Sequence, residues 1–212
     1  MDASCSGVAT PPLWHIDAVR GRPPLRLIDD AAVQAFAADA AIVIAHYANF
    51  DRPFCERRWP IFAQKNWACS CIQVPWRAER HEGTKLGYLL TDHGYFHAGH
   101  RAINDCQAAL RLLATPLKVS GRLPLSCLLE AAGNPTMRLW AQHSPMEANF
   151  LLKARHYRWS PSRRCWYVDL DGYKLNDEFR YLGNDVYHRP VDDLPVDTIT
   201  ATDRFSDRAH PK

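Results

Sequence analysis

Residues 41–45 read AIVIA, an unbroken apolar run with no polar alternation. A run that short and that uniformly apolar is expected of a strand covered on both faces, as parallel strands are when helices flank them. Helical patterns stand on either side of it. Asp29 or Asp30 can cap a helix whose apolar positions are Val33, Phe36, Ala37 and Ala40. Asn49 can cap the next helix, with Phe50, Phe54 and Cys55 turned inward. Residues 68–74 read as a second strand stopped by Pro75, and residues 85–91 as a helix ending near Gly94, a residue suited to a left-handed C-cap. The helix after Gly99 would bury Ala102, Ile103, Cys106, Leu110 and Leu113. Strand and helix alternate, which predicts an α/β domain closing near Thr115.

The second half of the chain is patterned differently. Met137 to Ala141 reads as a strand. Ser144-Pro145-Met146-Glu147 combines an N-cap serine, a proline at the first helical position and a glutamate at the third, the elements of a capping box. The helix it opens carries Leu151, Leu152 and Ala154. Residues 157–159 and 165–170 read as a hairpin around SPSRR, and residues 175–187 as another helix. The expected division is a tail over 1–24, a domain over 25–116, a linker over 117–135, a small α+β unit over 136–190 and a tail over 191–212.

With 212 residues and an apolar fraction of 47%, the chain can bury a sizeable core. No apolar run nears the roughly 20 residues of a membrane span, so no membrane partner is expected. Residues 1–24 lack the basic start and apolar block of a signal peptide. The seven cysteines are odd in number and lack paired spacing, which points to a reducing cytoplasm. A net charge of +3 says little about partners.

The residues that can do chemistry gather in two places. Phe96 to Leu113 reads FHAGHRAINDCQAALRLL, an imidazole-rich loop running into an amphipathic helix with Asp105 near its start. His100 and Asp105 stand about 140° apart around a helix, so His100 belongs in the loop if the two are to meet. A loop imidazole above a helix carboxylate suits a base beside a metal ligand. The same spacing equally permits a helix-capping histidine and a solvated aspartate. Upstream, AHYANFDRPF carries Asp51 just beyond the first strand.

AHYANFDRPF resembles the second motif of the DEDDh 3′-5′ exonucleases, the proofreading epsilon-subunit type with an RNase H-like fold. HRAINDC is similar to that family's third motif, H-x-A-x-x-D. ERRWPIFAQKNWACS, EGTKLGYLL, the Trp-rich C-terminal segment and the closing DRFSDR also look like this family, so the resemblance runs from about Leu27 to Arg208. It implies an RNase H-like domain in which Asp51 and Asp105 ligate Mg²⁺ or Mn²⁺ and His100 draws a proton from the attacking water. The implied partner is nucleic acid with a 3′ end, DNA before RNA.

The departures carry equal weight. Family members begin with a strand bearing D-x-E, and this chain has no glutamate before Glu56. Asp17 has no acidic neighbour, and Asp29-Asp30 fits a helix cap. Tyr47 stands where the second motif usually has asparagine. Two divalent ions 4 Å apart repel by roughly 16 kcal/mol at an effective dielectric near 20. Asp51 and Asp105 alone would not offset that, so at most one weakly held ion is expected, with hydrolysis impaired or lost. The chain looks like a family member without its first three strands and with an unrelated start over 1–24. In the family's fold the missing first strand is central, so residues 41–45 would keep an unpaired edge, open to self-association, and stability would be marginal.

The expected fold class is therefore α/β: an incomplete RNase H-like exonuclease domain with a small α+β C-terminal appendage. Two other functions fit. The appendage interleaves Lys153, Arg155, Arg158, Arg163 and Arg164 with Trp159 and Trp166, residue types that track phosphates and stack on single-stranded bases. It could also be a plain hairpin with a tryptophan core and an arginine rim. A truncated product without independent function is the last alternative. Cys69, Cys71, His93 and His97 are zinc-ligand types, but one residue between the cysteines is the alternation of a strand, not zinc spacing.

Overall fold

The structure, a computed structural model, describes residues 28–96 and 101–209. The tail expected over 1–24 lies outside them. Asp29 caps α1 (Asp30–Ala38) as its sequence suggests, accepting the Ala32 amide at 3.0 Å. Then come β1 (Ile42–Ala45), α2 (Ala48–Arg58), a 3-10 turn at Pro60–Gln64, and β2 (Asn66–Cys69). The single turn α3 (Ser70–Gln73) precedes α4 (Leu86–Asp92), α5 (Ala102–Leu113) and α6 (Pro124–Gly133). β1 and β2 pair in parallel, from Ile42 opposite Asn66 to Ala45 opposite Cys69. Trp76, Leu89, Leu112 and Leu128 are at the centre of the first core. Gly94 takes φ +79°, the left-handed stop its position predicts.

The second unit is a four-stranded antiparallel sheet, ordered β4 (Arg158–Ser160), β5 (Cys165–Asp171), β3 (Thr136–Ala141), β6 (Val196–Ile199). One face, including Leu139 and Val168, packs on α7 (Asn149–Ala154) and α8 (Leu175–Tyr181), the latter continuing as a π-turn segment over Leu182–Tyr187. The molecule is a mixed α/β fold with small sheets.

Several segments depart from the sequence reading. The second strand ends at Cys69 and residues 70–73 coil into α3. Residues 117–135, read as a linker, contain α6: Pro124 opens it, and Cys127, Leu128 and Ala132 are buried in the first core. The Ser144 capping box does not form. Pro145 stays extended at ψ 142°, a 3-10 turn begins at Met146, and no side chain caps it. Residues 191–212, read as a tail, supply β6 and a run of turns that packs Phe205 against Ala48, Trp67 and Cys69.

Three helices turn faces other than those expected. α1 leaves Phe36 92% exposed and buries Ala37. α2 buries Ala48 and Arg52 while Phe50 and Phe54 are exposed. α5 likewise exposes Ala102, Ile103, Cys106 and Leu110, and packs inward through Ala108, Leu112 and Leu113. β1 is half-buried instead of covered on both faces. Among the described residues no strand pairs with its second edge, whereas β2's far edge is met by Ala201, whose carbonyl accepts the Trp67 amide at 2.9 Å.

Candidate functional site

Parallel strands bring their carboxyl ends to the same side, and the segments leaving them gather where ligands commonly bind in such sheets. His46 follows β1 directly, and Ser70 follows β2. His46 Nε2 lies 2.7 Å from the Thr84 carbonyl oxygen and Nδ1 2.9 Å from Ser70 Oγ. A carbonyl only accepts, so Nε2 carries the proton and the Ser70 hydroxyl donates to Nδ1. Burial holds the His46 imidazole below the ordinary histidine range, against the opposing pulls of the Thr84 carbonyl and the Asp51 carboxylate. His46 is thus a neutral pin between the two strand ends. Sequence reasoning missed it, although its place just past an apolar strand was a usable signal.

Asp51 sits in the first turn of α2, where the helix dipole favours a carboxylate. Burial nevertheless raises its pKa above the usual aspartate value, with His46 and the Tyr47 backbone pulling the other way. A carboxylate in this state gains from any cation placed beside it. Asp105 occupies the first turn of α5, half-buried, three and seven residues before Ala108 and Leu112 and so on the inward face. His100 lies outside the described residues. Among the described residues, no group of three or more His, Cys, Asp or Glu side chains is placed to hold a metal ion.

Among the described residues, the cysteine–histidine grouping does not assemble. Cys69 Sγ accepts the Ala48 amide at 3.5 Å and contacts the His46 carbonyl at 3.4 Å, and burial raises its pKa. Cys71 Sγ contacts Thr84 Oγ1 at 3.2 Å. His93 stands apart from both and packs against His81; His97 lies outside the described residues. Burial lowers the His93 pKa, with His81 and Lys118 acting in the same direction and Asp92 against them.

In the second unit most of the candidate cations already have carboxylate partners. Arg155 Nε is 2.9 Å from Glu178, Arg158 2.7 Å from Asp169, and Arg163 3.3 Å from Asp197. Lys153 lies 5.8 Å from the Trp166 ring centre, and Arg164 occupies the left-handed region at φ 52° in the hairpin turn. Trp166 is buried and donates to Asn149 Oδ1 at 2.8 Å, so its ring serves the core. Trp159 is half-exposed, edge-on to Trp166.

The neutral histidines set a pH dependence. The pKa of His46 is lower in the fold than in the unfolded chain, so the unfolded state takes up the proton first as pH falls through about 6.5. Stability is therefore full above that value and declines below it, and His93 adds in the same direction. Urea midpoints should hold at neutral pH and fall on acidification, less steeply in His46→Gln. Midpoints flat between about pH 7.5 and 5.5 would rule this out.

Among the described residues no helix is long and apolar enough to cross a membrane. No family model matches the chain, and no curated protein or solved structure matches it.

Proposed function

We propose that this chain has the frame of a 3′-5′ exonuclease of the RNase H-like type and that its metal-dependent phosphodiester hydrolysis is impaired or lost. The observation that carries the reading is the parallel β1–β2 pair, which ends at the pinned His46 and sets Asp51 in the first turn of α2. Asp51 and Asp105 are hard oxygen ligands of the kind Mg²⁺ and Mn²⁺ prefer. Bound there, the ion would neutralise charge on a phosphodiester. Two carboxylates hold one such ion weakly and do not hold a second. His100 is the base, and the substrate class is nucleic acid with a 3′ end, DNA before RNA.

A Mn²⁺ titration followed by paramagnetic resonance tests the site. One weakly bound ion, and no second, is expected, and Asp51→Asn or Asp105→Asn should abolish it. No shortening of a 3′-labelled single-stranded DNA is expected alongside. Shortening that disappears in His100→Ala would overturn the loss of activity. Mn²⁺ binding indifferent to both aspartate variants, or absent from the unaltered chain, would overturn the site itself.

A further inference from the structure

Away from Asp51, two histidines form a pair that the exonuclease reading does not use. His81, only 2% exposed, lies in the turns between α3 and α4, and His93 caps the end of α4. Their ring centres are 5.1 Å apart with planes inclined by 38°. His81 Nδ1 is 2.6 Å from Asp92 Oδ2, and the other Asp92 oxygen is 3.0 Å from Lys118 Nζ. An ionised carboxylate only accepts, so Nδ1 carries a proton, and in the neutral ring Nε2 presents its lone pair. That Nε2 is buried without a hydrogen-bond partner, and so is the Nε2 of His93.

Buried polar atoms without partners are rare and call for a specific explanation, an ion or a water among them. Here the unpartnered atoms are both imidazole nitrogens, on rings held side by side. Two imidazoles bonded to one tetrahedral ion at about 2.0–2.1 Å place their ring centres about 5.2 Å apart. The observed separation agrees with that value. A carboxylate behind one ring is also the usual outer support of a ligating histidine, fixing its tautomer and orientation. Glu79, whose carboxylate also feels His81, accepts the Val119 and Ser120 amides with Oε2 at 2.8 and 3.0 Å.

We propose that His81 and His93 bind one divalent transition-metal ion of the Zn²⁺ class through their Nε2 atoms, with Asp92 as the residue that positions His81. Water admitted with the ion would complete the remaining coordination positions. Neutral imidazole selects Zn²⁺, Cu²⁺ or Ni²⁺ over Mg²⁺, so this site is chemically separate from the one at Asp51 and Asp105.

Calorimetric titration of the full chain with Zn²⁺ alone tests the proposal, with Co²⁺ absorption reporting the ligand field. Zn²⁺ is expected to bind at this pair, to survive excess Mg²⁺, and to be lost in the His81→Gln/His93→Gln double variant. Asp92→Asn should weaken it roughly 10–100-fold while leaving the metal-free circular dichroism unchanged. Nitrogen-15 spectra of the histidine rings in the unaltered chain supply a readout that needs no variant: Zn²⁺ should shift Nε2 of His81 and His93. Absence of binding, displacement by Mg²⁺, retention in a folded double variant, or shifts confined to other imidazoles would each overturn the assignment.

Discussion

Replacing Arg52 with methionine is expected to destabilise the fold by about 3–5 kcal/mol and to detach residues 200–209. Arg52 has no exposed surface. Its Nε reaches Glu56 at 2.6 Å, its Nη1 reaches the carbonyls of Arg204 at 2.6 Å and Ala201 at 3.3 Å, and its Nη2 bonds the Thr202 carbonyl. The plane also lies 5.5 Å from the centre of the Trp67 ring. Methionine would fill much of the volume but take the donor from the Arg204 carbonyl and one of two donors from the Ala201 and Thr202 carbonyls, which keep the Trp67 amide and Arg208, and a buried orphan costs about 1–3 kcal/mol. Arg52→Lys should lose nearly as much, because one ammonium cannot reproduce a planar fork aimed at separate acceptors. Urea unfolding gives the magnitude, and limited proteolysis reports the segment. A loss below about 1 kcal/mol with residues 200–209 still protected would show that the fork is dispensable.

The consequence reaches the candidate site. DRFSDR and AHYANFDRPF lie at opposite ends of the described chain, yet Arg52 ties them together and Arg208 adds contacts to Glu56 at 3.2 and 3.3 Å. Asp51 is the neighbour of Arg52 on α2, so the closing segment helps fix the helix that presents the carboxylate. Detaching that segment should therefore weaken any cation bound at Asp51 as well as the fold.

This tie explains where sequence reading succeeded and where it failed. The alternation of elements was legible because β1 is a short apolar run preceded by a helix that Asp29 caps, signals local in sequence, whereas Pro75 marked the second strand too late, since residues 70–73 coil into α3. The hairpin of β4 and β5 was legible for the same reason. The inward face of α2 was not. A helix bearing Phe50 and Phe54 on one side and Arg52 on the other reads as aromatic-inward, and only a partner about 150 residues away reverses it. α6 was missed although Pro124 at its first position and the spacing of Leu128 and Ala132 were in plain view. Asp51 stands just beyond a strand, as its sequence suggests; His46 carries the same local signal, but its role depends on Thr84 and Ser70, which meet it only after folding.

Burial, not ion-pair geometry, should decide what the arginines of the antiparallel sheet are worth. Asp169 serves two of them. Arg138, which is 7% exposed, approaches it from both nitrogens at 2.6 and 2.9 Å, and the largely exposed Arg158 approaches at 2.7 Å. The contacts are equally short. Arg138 also faces it directly across the β3–β5 ladder and stands 4.8 Å from the Tyr167 ring centre. Removing the carboxylate leaves a buried guanidinium without its counter-charge, so Asp169→Asn is expected to cost about 3–5 kcal/mol. Arg158→Ala should cost at most about 1 kcal/mol, since water already screens that pair. Thermal unfolding of the two variants side by side separates the contributions: equal losses would mean that exposure does not govern the network. The difference also bears on nucleic-acid contact. An arginine held by less than about 1 kcal/mol can turn from Asp169 to a phosphate at little cost. Arg138 cannot do so without unfolding the sheet that carries it.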